Sequence, residues 1–175
     1  MRILVISDAH GAVVPVLQAI DAHPEARDIF YLGDGVASLE DLPLQYPGRR
    51  FTFVRGNNDF GCDCPEECLL ELGGIHIFAT HGHRYGVYSG FGGLIQRGRS
   101  LGAQVVLCGH THVAVTRFED GVTLLNPGSI ARPRSGPASY GALDIIPTGI
   151  VPLIIPANPR ESNRRNLPCA MQSTE

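Results

Sequence analysis

The 175-residue chain has no tryptophan, few aromatic residues (7%) and no surplus of positive charge. Its formal net charge is −3. Without a basic field to follow a nucleic-acid backbone, extended DNA or RNA is not an expected ligand. No apolar run approaches the roughly 20 residues that cross a bilayer, and no secretory signal precedes Met1, so the expected setting is cytoplasmic with no membrane partner. Internal repeats are not visible. Cysteine is sparse: Cys62, Cys64 and Cys68 form a C-x-C-x3-C cluster, with Cys108 and Cys169 elsewhere. That cluster lacks the usual spacing and the fourth ligand of a zinc site, so the cysteines read as reduced thiols. The chain is nonetheless long enough to bury a sizeable core.

What is present is a series of metal-ligand side chains, each placed where an apolar run stops. Residues 2–7 are apolar and β-branched and end at Asp8-Ala9-His10-Gly11, which predicts a buried strand delivering donors at its carboxyl end. Residues 28–32 end at Gly33-Asp34-Gly35, where glycines on both sides let the backbone turn tightly around a carboxylate that could bridge two ions. Residues 51–55 end at Gly56-Asn57-Asn58-Asp59, residues 74–80 at His81-Gly82-His83, and residues 104–108 at Gly109-His110-Thr111-His112. In extended backbone alternate residues share a face, so Asp-x-His and His-x-His each aim two donors at one point. Carboxylate and amide oxygens mixed with imidazoles suit a pair of divalent cations that polarise a phosphoryl group.

Other segments fill in the frame. Val13, Val16, Leu17 and Ile20 recur at helical spacing over 13–22, and a short helix is expected near 36–44. Residues 67–72 and 74–80 read as a hairpin, as do 113–118 with 121–125 and 139–145 with 149–155. A helix is expected between 87 and 102 despite its glycines. Past Pro156 the composition turns polar, so the expected organisation is a domain over 1–156 and a flexible tail over 157–175.

In order, Asp8-x-His10, Gly33-Asp34, Gly56-Asn57-x-Asp59, the His81 strand end and Gly109-His110-x-His112 resemble the signature of the calcineurin-like metallophosphoesterases. The short length and Asn126-Pro127-Gly128-Ser129 are most similar to the YfcE-type small phosphodiesterase branch. The resemblance covers about residues 1 to 145 and implies an α/β (α+β) fold, a four-layer αββα sandwich of two mixed sheets flanked by helices. It also implies that Asp8, His10 and His112 hold one cation, that Asp34 bridges, and that Asn57, His81 and His110 hold a second, with a hydroxide between the ions attacking in line. Mn²⁺ is the first expectation, with Fe, Zn, Ni or Mg possible.

Two positions depart from the wider family pattern. Asn58 stands where many relatives carry a histidine that protonates the leaving oxygen, and an amide cannot act as a general acid. His83 is the preferred alternative, with a metal-bound water another, and leaving groups of low pKa are favoured. Ala37 closes what would be an extended GDxxD motif. The expected catalytic residues are Asp34, Asn58 and His83, and the expected substrate contacts are Asn58, His83 and Arg55. Plainer readings stand beside these. His83 could cap a turn, Arg55 could pair with Asp59, Asp59 could orient a histidine, His23 could be an exposed surface imidazole, and His76 could point away from the core.

The activity implied is hydrolysis of a small phosphodiester by a two-metal enzyme. The alternatives are a phosphomonoesterase, or a non-catalytic interaction scaffold such as the trafficking-coat subunit that shares this fold. That relative usually lacks metal histidines, and His81, His110 and His112 are all present here. A homo-oligomer is possible, with Phe91 and the glycines around it as the packing surface.

Overall fold

Alternation along the apolar strands sorts their side chains onto two faces, and each face acquires its own core. The computed structural model describes residues 1–157, so the expected flexible tail beyond Ala157 lies outside them. In β1 (Arg2–Ile6), Ile3 and Val5 face one way while Leu4 and Ile6 face the other. β2 (Asp28–Tyr31) continues the pattern, with Phe30 on the side of Ile3 and Ile29 and Tyr31 on the side of Leu4. In β5 (Ile75–Thr80) and β6 (Val105–Leu107), Ile77, Ala79, Val105 and Leu107 join the core of Ile3 and Phe30, which therefore lies between two sheets.

The first sheet runs β10-β9-β1-β2-β3 and the second β4-β5-β6-β8-β7, five strands each. β3 is Arg50–Phe53, β4 Glu67–Leu72, β7 Ala114–Glu119, β8 Val122–Pro127, β9 Ser139–Ile146 and β10 Gly149–Pro156. β1, β2 and β3 are parallel, as are β5, β6 and β8, while β9, β10, β4 and β7 join antiparallel. Both sheets are mixed, and the three hairpins stand where the turn residues place them.

Helices cover the outer faces. α1 (Val13–Asp21) buries Val16, Ala19 and Ile20 against Leu4, Ile6 and Ile29. α3 (Gly92–Ser100) buries Leu94 and Ile95 against Phe78, Val106 and Leu124. The layers are helix, sheet, sheet, helix, the expected sandwich. The helix expected over 36–44 is instead a 3₁₀ turn at Val36–Ser38 followed by α2 (Leu42–Gln45). Pro43 has no N–H and its ring would collide with the carbonyl four residues back, so a helix can start at Leu42 but not pass through from 36.

Two residues sit differently from expectation. His23 is not an exposed surface imidazole: its side chain is 12% exposed. Its Nε2 lies 3.0 Å from Tyr140 Oη and its Nδ1 3.3 Å from Glu25. Nearby, Arg2 grips Asp144 with Nε and Nη2 at 2.8 and 2.7 Å. The turn after α1 folds this segment back over the sheet, which the local sequence does not reveal. Phe91 is buried in the core beneath α3, with the Arg117 guanidinium 5.5 Å from its ring centre, so it offers no face to a second copy. His76 is exposed, as expected.

Candidate metal centre

The loops that leave β1, β2, β3, β5 and β6 converge at one edge of the sandwich. Their backbones are tied together: Asp8 N–H donates to Gly33 O at 3.0 Å, His10 N–H to Asp34 O at 2.9 Å, and Gly109 N–H to His81 O at 3.0 Å. Tyr31 Oη, buried beneath, accepts from Ala9 N–H at 3.1 Å and donates to Asp34 O at 2.9 Å, joining two donor-bearing turns. Ser129 Oγ donates to Asp8 O at 2.8 Å, and Asn126 Nδ2 donates to Gly109 O at 2.8 Å. The Asn126–Ser129 segment thus buttresses the floor.

Five of the donor residues, Asp8, His10, Asp34, His110 and His112, adopt left-handed φ between 46° and 68°. Such values are unfavourable for residues with a Cβ and persist only where the surroundings impose them.

All seven expected ligands come together, in two groups. In the first, Asp8, His10, Asp34 and His112 offer donor atoms all within 4.8 Å of one another. His112 Nε2 lies 3.2 Å from both Asp8 Oδ1 and His10 Nε2, and His10 Nε2 lies 3.9 Å from Asp34 Oδ2. In the second, His81 Nε2 lies 3.2 Å from Asn57 Oδ1, 3.2 Å from His110 Nδ1 and 3.6 Å from Asp34 Oδ2. One oxygen, Asp34 Oδ2, borders both groups.

The donor set fits a cation on two grounds. His112 Nδ1 donates to Arg132 O and His81 Nδ1 to Leu32 O, each at 2.6 Å. Those bonds fix the tautomers and turn both Nε2 lone pairs into the site. There each also faces an oxygen that can only accept, Asp8 Oδ1 for His112 and Asn57 Oδ1 for His81, both at 3.2 Å, a contact that repels unless positive charge lies between. Second, Asp8 is fully buried and its Oδ1 has no hydrogen-bond partner, although Oδ2 accepts from Ser7 Oγ at 2.6 Å. The 3.2 Å approach to His112 lacks hydrogen-bond geometry. A buried carboxylate oxygen left bare is costly without a partner.

The titration behaviour agrees. Burial pushes His110 down to about 4, with His81 adding to the effect, and burial also lowers His10 and His83. These imidazoles are neutral near pH 7 and free to ligate. His112 is shifted the other way by its Asp8 neighbour, so a proton and a cation compete for that position.

Several roles differ from expectation. Asn58 lines the cleft and has a further role: its Nδ2 and backbone N–H donate to Asp34 Oδ2 and Oδ1 at 2.6 and 2.9 Å, holding that carboxylate in place. Asp59 orients no histidine and does not meet Arg55. Its carboxylate accepts from the N–H groups of Asp34, Gly35, Val36 and Gly56 at 2.7–2.9 Å. Arg55 pairs with Glu66 at 2.7 Å, and Glu66 also meets Arg84 at 2.8 Å. Neither Arg55 nor His83 lines the cleft over the donors. His83 stands behind them, its ring 5.5 Å from His81 and 6.1 Å from His110.

The cleft, about 350 Å³ and open, is lined instead by His10, Asp34, Asn57, Asn58, His110 and His112 together with Tyr88, Arg132 and Arg134. Those last three were not singled out from sequence. The signal available was an Arg-Pro-Arg run, Arg132-Pro133-Arg134, three residues after Ser129.

Residues 1–146 match the model of the calcineurin-like phosphoesterase superfamily domain. The chain is 37% identical over 135 residues to a probable metallophosphoesterase, YsnB, of Bacillus subtilis, covering 77% of this chain and 78% of that one. It is 29% identical over 170 residues to the phosphodiesterase YfcE of Escherichia coli, covering 82% and 88%. Among solved structures, a predicted phosphoesterase of Streptococcus pneumoniae superposes with a TM-score of 0.71 at 28% identity, covering 88% of this chain and 97% of that one. Vacuolar protein sorting 29 of Cryptosporidium parvum, at 20% identity and a TM-score of 0.67 over 88% of this chain and 96% of its own, shares the fold alone. With the matched model spanning most of its length and a donor cluster at the strand ends, the chain belongs to the calcineurin-like phosphoesterase superfamily and is a metal-dependent phosphoester hydrolase.

Proposed function

We propose that the protein hydrolyses small phosphodiesters with two divalent cations, Mn²⁺ being the first choice. Asp8, His10 and His112 would hold one cation, Asn57, His81 and His110 the other, and Asp34 would serve both. The observation that carries this reading is the pair of donor groups bordering a single carboxylate oxygen, Asp34 Oδ2. Such a pair of ions supplies Lewis acidity for the phosphoryl oxygens and a water acidified enough to attack in line near neutral pH.

The chain's own part is positioning. Asn58 fixes the rotamer of Asp34, the carbonyls of Leu32 and Arg132 fix two imidazole tautomers, and Tyr31 locks the turns that carry Asp8 and Asp34. Asn58, an amide turned onto Asp34, cannot protonate the departing oxygen. Turnover should therefore fall steeply as the leaving group becomes more basic.

Protein stripped by chelator and reloaded with Mn²⁺ should hydrolyse bis(p-nitrophenyl) phosphate, and Asp34→Ala and Asn57→Ala should each reduce kcat by at least about a hundredfold. Absence of turnover with every divalent metal would reject the reading. Matched mono- and diesters separate it from phosphomonoesterase activity. Turnover by the metal-loaded protein separates it from a non-catalytic metal-binding scaffold.

A further inference from the structure

Among the described residues, Arg2, Arg50, Arg55, Arg84, Arg97 and Arg99 each meet a carboxylate. Arg27, Arg49, Arg117, Arg132 and Arg134 meet none, and of these Arg132 and Arg134 line the cleft over the donor groups. In a chain of net charge −3, two guanidiniums without a carboxylate at one rim are a local concentration of positive charge.

Their loop is anchored at several points. Ser129 Oγ accepts from the N–H of Arg132 at 2.7 Å, His112 donates to Arg132 O, and Arg134 N–H donates to His112 O at 3.1 Å. Pro133 between them restricts the backbone on both sides. Arg134 is also held through its side chain. Its Nη1 donates to Tyr88 Oη at 2.6 Å, and Tyr88 Oη donates in turn to His110 O at 2.9 Å. The Tyr88 ring lies 5.2 Å from the Arg134 guanidinium carbon and 4.9 Å from the His110 ring centre. Tyr88 is itself 56% exposed, so the relay spans the open mouth of the cleft and not its floor. A guanidinium pre-ordered in this way loses less entropy when it meets an anion, and its planar fork matches phosphate oxygens.

We propose that Arg132 and Arg134 recognise a second phosphate on the substrate, beyond the ester that is cleaved. The favoured diester therefore carries a phosphorylated substituent, with Tyr88 as the positioning residue for Arg134. The inference rests on the phosphodiesterase reading but makes a separate demand on the rim.

Adenosine 5′-monophosphate and adenosine 3′,5′-bisphosphate, tested as competitive inhibitors of bis(p-nitrophenyl) phosphate hydrolysis by the Mn²⁺-loaded full chain, decide it. The bisphosphate should bind about tenfold more tightly than the monophosphate, as an added charge-assisted contact provides. In the Arg132→Ala, Arg134→Ala double variant the ratio should fall to about one. Tyr88→Phe should give an intermediate ratio, because Arg134 keeps its charge and loses its tether, and Arg99→Ala, whose side chain pairs with Asp120, should leave the ratio at its original value. Three results would overturn the proposal: no preference in the unmodified protein, a preference that survives the double variant, or an equal loss of both inhibitors, which would place the arginines on the reacting phosphoryl group. Failure of turnover would sink the phosphodiesterase reading alone, since the same ratio is then measured as two dissociation constants by calorimetry.

Discussion

Left-handed backbone at Asp8, His10, Asp34, His110 and His112 is a property of single residues with a measurable cost. Each such residue gives up about 1 kcal/mol of stability, and the surrounding hydrogen bonds hold it there. Replacing His10 by Gly removes that strain at the loss of one ring contact, to His112 Nε2 at 3.2 Å. The expectation is a melting temperature in chelator equal to or above that of the unmodified protein, alongside loss of Mn²⁺-dependent hydrolysis. A drop of more than a few degrees in the metal-free protein would show that the ligand residues are not strained. The donors themselves were legible in the sequence because each follows an apolar run directly. The hold of Asn58 on Asp34 was missed because the two lie 24 residues apart and the bond depends on how two turns face each other. Tyr88, Arg132 and Arg134 were missed for a related reason: a rim residue carries no periodic signature, and only the folded loops bring these three over His110.

At the level of elements, the joint between the β2 and β3 turns depends on one carboxylate. Asp59 gathers four backbone N–H groups from both turns. Burial alone would raise its pKa, but the bonds from Gly35, Gly56, Val36 and Asp34 outweigh burial and hold it below the usual carboxylate range. A folded-state pKa below the unfolded value, about 3.9, means that the stabilisation is fully present at higher pH and is lost as pH falls through the folded value. Asp59→Asn should cost about 2–3 kcal/mol at pH 7, and denaturation at successive pH values should show the two proteins converging below about pH 4. A constant gap down to pH 2 would contradict it. The elements were largely readable: α1 was expected over 13–22 and spans Val13–Asp21, and the closing hairpin was expected over 139–155 and spans Ser139–Pro156. Pairs of strands announce themselves through alternation and turn residues. Which sheet each strand joins does not appear in the sequence, because that is settled by which faces can be buried together.

On the scale of the whole molecule, donor groups crowded together at one edge cost stability that a bound cation would return. Adding Mn²⁺ at about a hundredfold over its dissociation constant should raise the melting temperature by about 5–10 °C, and chelator should reverse it; an unchanged temperature would argue against metal at this edge. Among the described residues the last strand ends at Pro156, with Ala157 N–H bonded to Ala138 O at 2.8 Å. No described helix is long and apolar enough to cross a membrane. The place of β1 has one more effect. It is the central strand of its sheet, and one of its two neighbours is β9, Ser139–Ile146. Val5, just ahead of Asp8, pairs with Gly141, so the strand that carries Asp8 and His10 stays open on that side until a segment far along the chain is in place. Folding must close that long-range pair before the donor edge takes its shape, which makes assembly of the donor cluster a late and slow step.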